Sequence, residues 1–261
     1  MIKTKIKSFF SDCNSMSLRC LKLSLRNPGM IVISLILPVL LLFLFVYLFG
    51  GAMDKQHFET SYLNYIVAGI IIMAIGQSAS TTAVVVCSDV QKGLLDRFLS
   101  LPISRSSFLV GHTISALVRN AISVLIMFAV AFAIGFRPEA GFVQWLGIIG
   151  ILVLFMLVMT LFCTFLGLMA KSPESASSAQ ALTQLLVFLS SGFVPTETLP
   201  SVLKAIAENQ PITHIIETLR SLFFYGETGS HFLAAMLWLA GLLVGCYILS
   251  FLAFKRHVGK K

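Results

Sequence analysis

Residues 87–111 read CSDVQKGLLDRFLSLPISRSSFLVG, a charged stretch between two long apolar runs. Successive residues of a helix are turned by about 100°, so Val90, Leu94 and Phe98 would share one side of a helix, and Lys92 would lie on the opposite side. A short helix with one apolar and one charged side suits the surface of a membrane. This stretch therefore predicts an interfacial helix held between two membrane spans.

The same stretch carries signals for both ends of that helix. Ser88 and Gln91 have the spacing of a capping box, which satisfies free backbone N–H groups at a helix start. Pro102 removes a backbone donor and restricts the residue before it, so the helix should end there. These signals predict a helix over residues 88–101.

The composition indicates an all-α integral membrane protein. Of 261 residues, 57% are hydrophobic and 11% are charged, whereas soluble domains carry about 25% charged residues. A spanning helix needs about 20 largely apolar residues, and the apolar runs fit six such helices in a single domain over residues 1–261. The predicted spans are Met30–Gly51, Tyr62–Val86, Phe108–Phe136, Phe142–Ala170, Ala176–Val194 and His231–Phe254.

Two further segments flank the spans. Residues 3–26 are amphipathic with a basic polar side, which predicts an N-terminal helix lying on the membrane against anionic headgroups. Residues 195–230 contain two pieces that are too short and too charged to span, Ser201–Asn209 and Thr213–Phe224. Prolines separate them, so we expect an external helical hairpin before the sixth span.

The basic residues predict the orientation. Fourteen of the nineteen Lys and Arg residues fall on the side of the two termini, and only Lys55, Arg137, Lys204 and Arg220 fall on the other side. Cytoplasmic loops are enriched in basic residues, so both termini should be cytoplasmic. This dispersal also accounts for the net charge of +8 without nucleic-acid binding, since no recognition module is present.

The sequence lacks the motifs of catalysis and of metal or nucleotide binding. It contains no Gly-x-x-x-x-Gly-Lys-Ser/Thr loop, so we expect no ATP site in this chain. The cysteines and histidines are scattered without metal-ligand spacing, which predicts no metal and no cofactor. A transport subunit driven by another polypeptide and a stand-alone carrier or channel both stay open.

The scarcity of charged residues inside the spans favours a transport subunit that is driven by another polypeptide. Ion-coupled carriers keep ionisable groups near the bilayer midplane, but no acidic residue falls within a predicted span. Arg119 is the one basic residue there, and we expect it to extend toward the membrane surface. A role beside Asn120 in a subunit or substrate contact is the alternative.

Two groups of sequence motifs resemble those of one transporter family. GLLDRFL (93–99) and LPISR (101–105) are similar to the coupling helix between spans two and three of type-2 ABC exporter permeases, above all the drug-resistance branch typified by daunorubicin exporters. SGFVP (191–195), LP (199–200) and NQP (209–211) resemble the external region that precedes the sixth span in the same permeases.

The resemblance implies a function and a set of partners. The chain would be the permease subunit of an exporter in a bacterial cell membrane, with ATP and Mg²⁺ bound by a separate ATPase subunit. Two permease copies, as a homodimer or a heterodimer, would join two ATPases among membrane lipids. The substrate would be hydrophobic or amphipathic, such as a drug, a lipid or a peptide, and a lipid-linked glycan is an alternative.

Candidate functional residues fall into two groups. The resemblance assigns contact with the ATPase to residues of the coupling stretch: Asp89, Lys92, Gly93, Leu94, Asp96, Arg97, Phe98, Pro102 and Arg105. Polar residues of spans two and five are candidates for the substrate path, and hydrogen bonding between helices explains them equally well. They are Gln77, Ser80, Thr81, Gln180, Thr183 and Gln184.

Overall fold

A computed structural model of the chain describes residues 14–22, 26, 28–50, 62–95, 107–226 and 228–259, and these residues form a helical bundle without strands. Residues 14–22 are helical and are called α1. The other helices are α2 (Pro28–Leu44, extended by a π-helical turn over Phe45–Phe49), α3 (Tyr62–Gln91), α4 (Ser107–Ile134), α5 (Phe142–Met169), α6 (Pro173–Phe188), α7 (Ser201–Asn209), α8 (Pro211–Phe224) and α9 (Phe232–Gly259).

Helix α3 is the centre of the bundle. It packs against α2, α4, α5, α6 and α8, and every residue from 66 to 80 is buried. This run includes consecutive large aliphatic residues such as Ile70, Ile71 and Ile72. A helix that is apolar all round belongs in an interior rather than at a surface, and α3 occupies that place.

Helix α5 approaches α3 closely because Gly167 has no side chain. A Cβ atom at this position would lie 2.5 Å from the carbonyl oxygen of Ala83 and 2.8 Å from its Cα. Small residues at helix contacts let two backbones pack together inside a membrane. Gly167 therefore fixes the spacing of these two helices.

Each of the two ends of the bundle has its own cluster of buried hydrophobic side chains. The end that carries α1 and the C-terminus of α3, called the proximal end, contains a cluster of Met16, Val86, Leu95, Phe108 and Phe254. The opposite end, called the distal end, carries the starts of α3, α5 and α9 together with α7 and α8. Aromatic rings dominate there, as in the edge-on contact of Phe136 with Phe223 at 5.4 Å between ring centroids, an arrangement that aromatic pairs prefer.

Four of the predicted spans are confirmed as helices that are long and apolar enough to cross a membrane, namely α3, α4, α5 and α9. The starts of α3 and α5 coincide with the predicted Tyr62 and Phe142. Helix α2 is a shorter apolar helix, and α6 has 16 residues. The count of six spans stays a prediction.

The predicted bounds of the fifth span, Ala176–Val194, were wrong at both ends. Helix α6 begins at Pro173, because Ser172 accepts a hydrogen bond from the Ser175 amide as an N-cap and proline suits the first helical position. It ends at Phe188, and a turn follows. Tyrosines of α3 complete that turn: Tyr65 donates its hydroxyl to Ser191 O at 2.9 Å, and Tyr62 donates to Phe193 O at 3.1 Å.

The predicted start of the coupling helix at Ser88 was also wrong. Ser88 lies inside α3, which continues to Gln91 before a turn at Lys92 and Gly93. The capping signal is overridden because the residues after Ser88 make further contacts as part of the helix: Asp89 lies beside His112, and Gln91 donates to Lys171 O. The chain is helical again at Leu94 and Leu95, and residues 96–101 lie outside the described residues.

The two short helices before the last span are confirmed. Helix α7 has the predicted bounds, and α8 starts at Pro211, two residues before the predicted Thr213. Helix α1 keeps the predicted apolar side over its described part, since Met16 and Cys20 are buried and Lys22 is exposed. The rest of the predicted N-terminal helix, in residues 3–26, is described only at Arg26.

Candidate functional site

The C-terminal turn of α3 is where the predicted coupling stretch begins. The Lys92 amide donates to Ser88 O at 3.0 Å, and the Gly93 amide donates to Val90 O at 3.1 Å. Gly93 has a φ of +67°, the left-handed conformation with which glycine commonly ends a helix. Glycine at this position turns the chain away from the axis of α3.

Beyond this turn the chain packs back onto the bundle. Leu95 is buried in the proximal cluster with residues of α3, α4, α5 and α9. The coupling stretch is therefore anchored on the ends of several spans as soon as it leaves α3.

Asp89 lies beside a buried histidine of the bundle. Its Oδ2 lies 3.3 Å from Nε2 of His112 in α4, and the two side chains are 14% and 3% exposed. The His112 ring packs in turn on Phe108, with ring centroids 4.6 Å apart. Asp89 thus links the last turn of α3 to the first turns of α4.

Two contacts join the end of α3 to the corner between α5 and α6. Gln91 donates from Nε2 to Lys171 O at 2.6 Å, and the Cys87 thiol lies 3.6 Å from Ala170 O. This corner carries the capped start of α6, where the pKa of Glu174 is lowered by hydrogen bonding. A displacement of the Gly93 turn would therefore reach both α4 and α6.

Helix α1 packs against the same region. Met16 lies against Gly111 of α4, and Ser17 and Cys20 are buried. Burial raises the pKa of the Cys20 thiol to about 11, so this cysteine is protonated at neutral pH. The described part of the amphipathic helix thus buries its apolar side on protein.

The structure describes four of the nine coupling candidates. Lys92 is exposed, Gly93 and Leu94 are half-buried, and Asp89 contacts His112. The other five candidates lie outside the described residues: Asp96, Arg97, Phe98, Pro102 and Arg105.

The six path candidates separate into two environments. Gln77, Ser80 and Thr183 are buried, whereas Gln180 is exposed, and Thr81 and Gln184 are half-buried. Three of the hydroxyl groups bond within their own helices: the acceptors are Gln77 O for Ser80, Ser78 O for Thr81 and Gln180 O for Thr183. Gln77, Ser80 and Thr183 therefore lie inside the bundle, whereas Gln180 faces outward.

A groove of about 570 Å³ lies between α5 and α6 near the proximal end. It contains none of the six path candidates. Its lining is mostly apolar, with Lys171, Ser175 and Ser178 as the polar members; the others are Leu166, Met169, Ala170, Ala176, Ala179 and Leu182.

Arg119 does not extend to the surface as expected. Its side chain is 4% exposed and donates from Nη2 to Thr82 Oγ1 of α3 at 2.6 Å. The neighbouring Asn120 donates to Thr160 Oγ1 of α5 at 3.2 Å. These two residues of α4 therefore connect three helices through polar contacts, which help to hold helices together inside a membrane.

Two groups at the distal end were not predicted from the sequence. Arg220 joins α8 to α3 and to the turn after α6 through Tyr65 and Ser191. His214 and His231 place their rings together. The Glu217–Arg220 spacing is visible in the sequence as an i,i+3 pair, but nothing in the sequence relates Tyr65 to Arg220 or the two histidines to each other.

Comparison with known proteins identifies relatives over most of the chain. A model of the family described as ABC-2 type transporter matches residues 12–224. A daunorubicin resistance ABC transporter permease protein of Streptomyces coeruleorubidus is 28% identical over 203 residues, which cover 77% of this chain and 71% of the relative. A protein of Mycobacterium tuberculosis described as a probable doxorubicin resistance ABC transporter permease is 21% identical over 235 residues, which cover 88% and 83%.

Proposed function

The chain belongs to the ABC-2 type transporter family, and on this basis we propose that it is the permease subunit of an ATP-driven exporter in a bacterial cell membrane. A separate ATPase subunit binds ATP and Mg²⁺, and this chain provides the membrane passage. The proximal end faces the cytoplasm, so that both termini and the Gly93 turn lie on the side of the ATPase.

The observation that carries this proposal is the attachment of the coupling stretch to the central helix. Residues 94 and 95 follow the C-terminal turn of α3 directly, and Leu95 packs on α4, α5 and α9. Because α3 contacts five other helices and packed interiors do not deform continuously, a push on this turn moves α3 relative to its neighbours. ATPase closure would change access to the passage in this way.

The exposed side of α6 supports an assembly with a second permease copy. Ser177, Ser178 and Gln180 are exposed on this helix, and its buried side, with Ala176, Ala179, Thr183 and Val187, includes residues packed on α3. Polar groups facing lipid are costly. We propose that this side faces a water-filled path between two permeases, with Gln180 and Gln184 on it.

The relatives suggest the kind of substrate. The Streptomyces and Mycobacterium proteins are named for resistance to daunorubicin and doxorubicin. A hydrophobic or amphipathic substrate also agrees with the mostly apolar groove beside α6. Drug export is accordingly the proposed activity.

A reconstituted transport assay tests this proposal. The permease is co-expressed with candidate ABC ATPases of the same genome, and the retained complex is inserted into liposomes together with doxorubicin as a fluorescent probe. We expect ATP-dependent movement of the drug by the complex and no ATP hydrolysis by the permease alone.

The results of this assay distinguish the role of the subunit from the identity of its substrate. Drug movement by the permease alone along an ion gradient, without ATP, would show a stand-alone carrier instead. A complex that hydrolyses ATP without moving doxorubicin would contradict the drug as substrate while keeping the role of the subunit.

A further inference from the structure

Two histidine rings meet between α8 and α9 at the distal end. His214 lies in the first turn of α8, and His231 directly precedes α9, where its carbonyl accepts the hydrogen bond of the Ala235 amide. Their Nδ1 atoms are 3.0 Å apart, and the ring centroids are 5.2 Å apart with 34° between the ring planes. Both side chains are half-buried, so solvent reaches the pair.

The surroundings favour the neutral form of His214. Burial and the proximity of His231 lower the pKa of this residue. His214 stands in the first turn of α8, where the positive end of the helix dipole disfavours an added proton. The nearest carboxylate on α8, Glu217, is already paired with Arg220 at 2.6 Å. Neutral imidazole nitrogen is the form that binds metal ions.

We propose that His214 and His231 form a two-ligand site for a divalent transition-metal ion of the Cu²⁺ or Ni²⁺ type. The ion binds Nδ1 of both rings and joins α8 to the start of α9. Among the described residues no group of three or more His, Cys, Asp or Glu side chains forms a metal cluster. Water completes the coordination.

The separation of the two nitrogens selects the class of ion. Metal–imidazole bonds are about 2.0–2.1 Å long, so two nitrogens 3.0 Å apart would subtend about 95° at a shared ion. Neighbouring ligands of tetragonal Cu²⁺ and Ni²⁺ are about 90° apart, whereas tetrahedral Zn²⁺ needs about 109°.

Such an ion would cross-link two helices at the distal end. After Phe224 the described residues have positive φ at Gly226 and Gly229, and the ion would hold the start of α9 against the first turn of α8. Helix α8 contacts α3, α5, α7 and α9. Holding it to α9 would restrict motion at this end, independently of the drug-export proposal.

The site is tested on the purified full-length permease in detergent, prepared without a polyhistidine tag. Cu²⁺ titration followed by electron paramagnetic resonance reports the number of nitrogen ligands, and Ni²⁺ is titrated in thermal unfolding. We expect one Cu²⁺ bound by two nitrogens, and a rise in Tm with Ni²⁺. His214→Asn and His231→Asn should each weaken binding at least about tenfold, whereas His257→Asn at the proximal end should leave it unchanged.

The wild-type spectrum keeps the proposal testable even if a variant does not fold. A Cu²⁺ spectrum with one nitrogen or none, or the absence of saturable binding, would overturn the site. So would wild-type affinity in a folded His214→Asn or His231→Asn variant. A pair that only shares a hydrogen bond would respond to pH and not to either ion, which also contradicts the proposal.

Discussion

Arg220 lies over the ring of Tyr65, with its guanidinium carbon 3.7 Å from the ring centroid. The same guanidinium donates to Tyr65 O at 3.2 Å, to Ser191 O at 3.1 Å and to Glu217 Oε1 at 2.6 Å. One side chain therefore joins α8, the start of α3 and the turn after α6. Planar stacking and several donors in one fork are properties of arginine that lysine lacks.

We predict that Arg220→Ala lowers the free energy of unfolding by about 2–4 kcal/mol, because it removes the charge-assisted bond to Glu217 and two bonds to backbone carbonyls of other elements. Arg220→Lys should be intermediate. The measurement is thermal unfolding in detergent. Lys204→Ala is the control, since its exposed pair with Glu208, at 3.7 Å, should contribute less than about 1 kcal/mol. Equal Tm values for both alanine variants would contradict the prediction.

A second prediction concerns the backbone at Gly93. No atom lies within 4 Å of a Cβ at this position, so its φ of +67° is the obstacle to substitution. Gly93→Asn should be nearly neutral and Gly93→Ala should cost about 1–2 kcal/mol. Gly93→Pro should reduce ATPase copurification and transport while the protein stays in the membrane, because proline cannot adopt positive φ.

Transport and ATPase copurification of the Gly93 variants are compared at equal amounts of each protein in the membrane. Wild-type transport and ATPase retention in Gly93→Pro would show that the turn plays no part in coupling. Loss of the protein from the membrane in Gly93→Asn would show that positive φ is not what restricts substitution at residue 93, since asparagine tolerates that conformation.

A third prediction concerns the contact of α5 with α3. Gly167→Ala should destabilise the bundle by about 1–3 kcal/mol, because the added methyl group would overlap the Ala83 backbone. Gly150→Ala on the same helix is the matched control, since no atom lies within 4 Å of its Cβ position. Thermal unfolding should rank Gly167→Ala clearly below Gly150→Ala, and the reverse order would refute the close contact.

The orientation of the bundle leads to a fourth prediction. In a cysteine-free background, Val202→Cys should react with a membrane-impermeant maleimide added outside the cell, because residue 202 is 71% exposed at the distal end. Lys92→Cys, exposed at the proximal end, should react only after the membrane is opened. Labelling of position 92 from outside with protection of position 202 would invert the proposed topology.

A fifth prediction concerns pH in the absence of added metal. The pKa of His214 is lowered in the folded protein from an unfolded value near 6.5, so the unfolded chain binds more protons as the pH falls. The stability from neutral His214 is present above about pH 6.5 and is lost as the pH falls through the folded pKa. The drop in Tm between about pH 7.5 and pH 5 should be smaller in His214→Asn, with His257→Asn as control. An equal drop in all three proteins would exclude His214 as the titrating group.

The sequence by itself determined the local elements and the family. Apolar length predicted the starts of α3 at Tyr62 and α5 at Phe142, and proline spacing predicted the bounds of α7, because these features depend on residues close together in the chain. Two separated sets of motifs, in residues 93–105 and 191–211, were sufficient for the resemblance to ABC exporter permeases, which the family match bears out.

Only the tertiary structure decided which side chains meet. Ser88 carries a start signal, but α3 continues past it to Gln91, where contacts with α4 and with the corner before α6 hold its last turn. Tyr65 and Arg220 are 155 residues apart in sequence, and the contacts of Arg119 with Thr82 and of Asp89 with His112 depend on the rotation of α3 against α4. A helical period fixes the side of its own helix on which a residue lies, but which helix faces that side is set by the packing of the whole bundle.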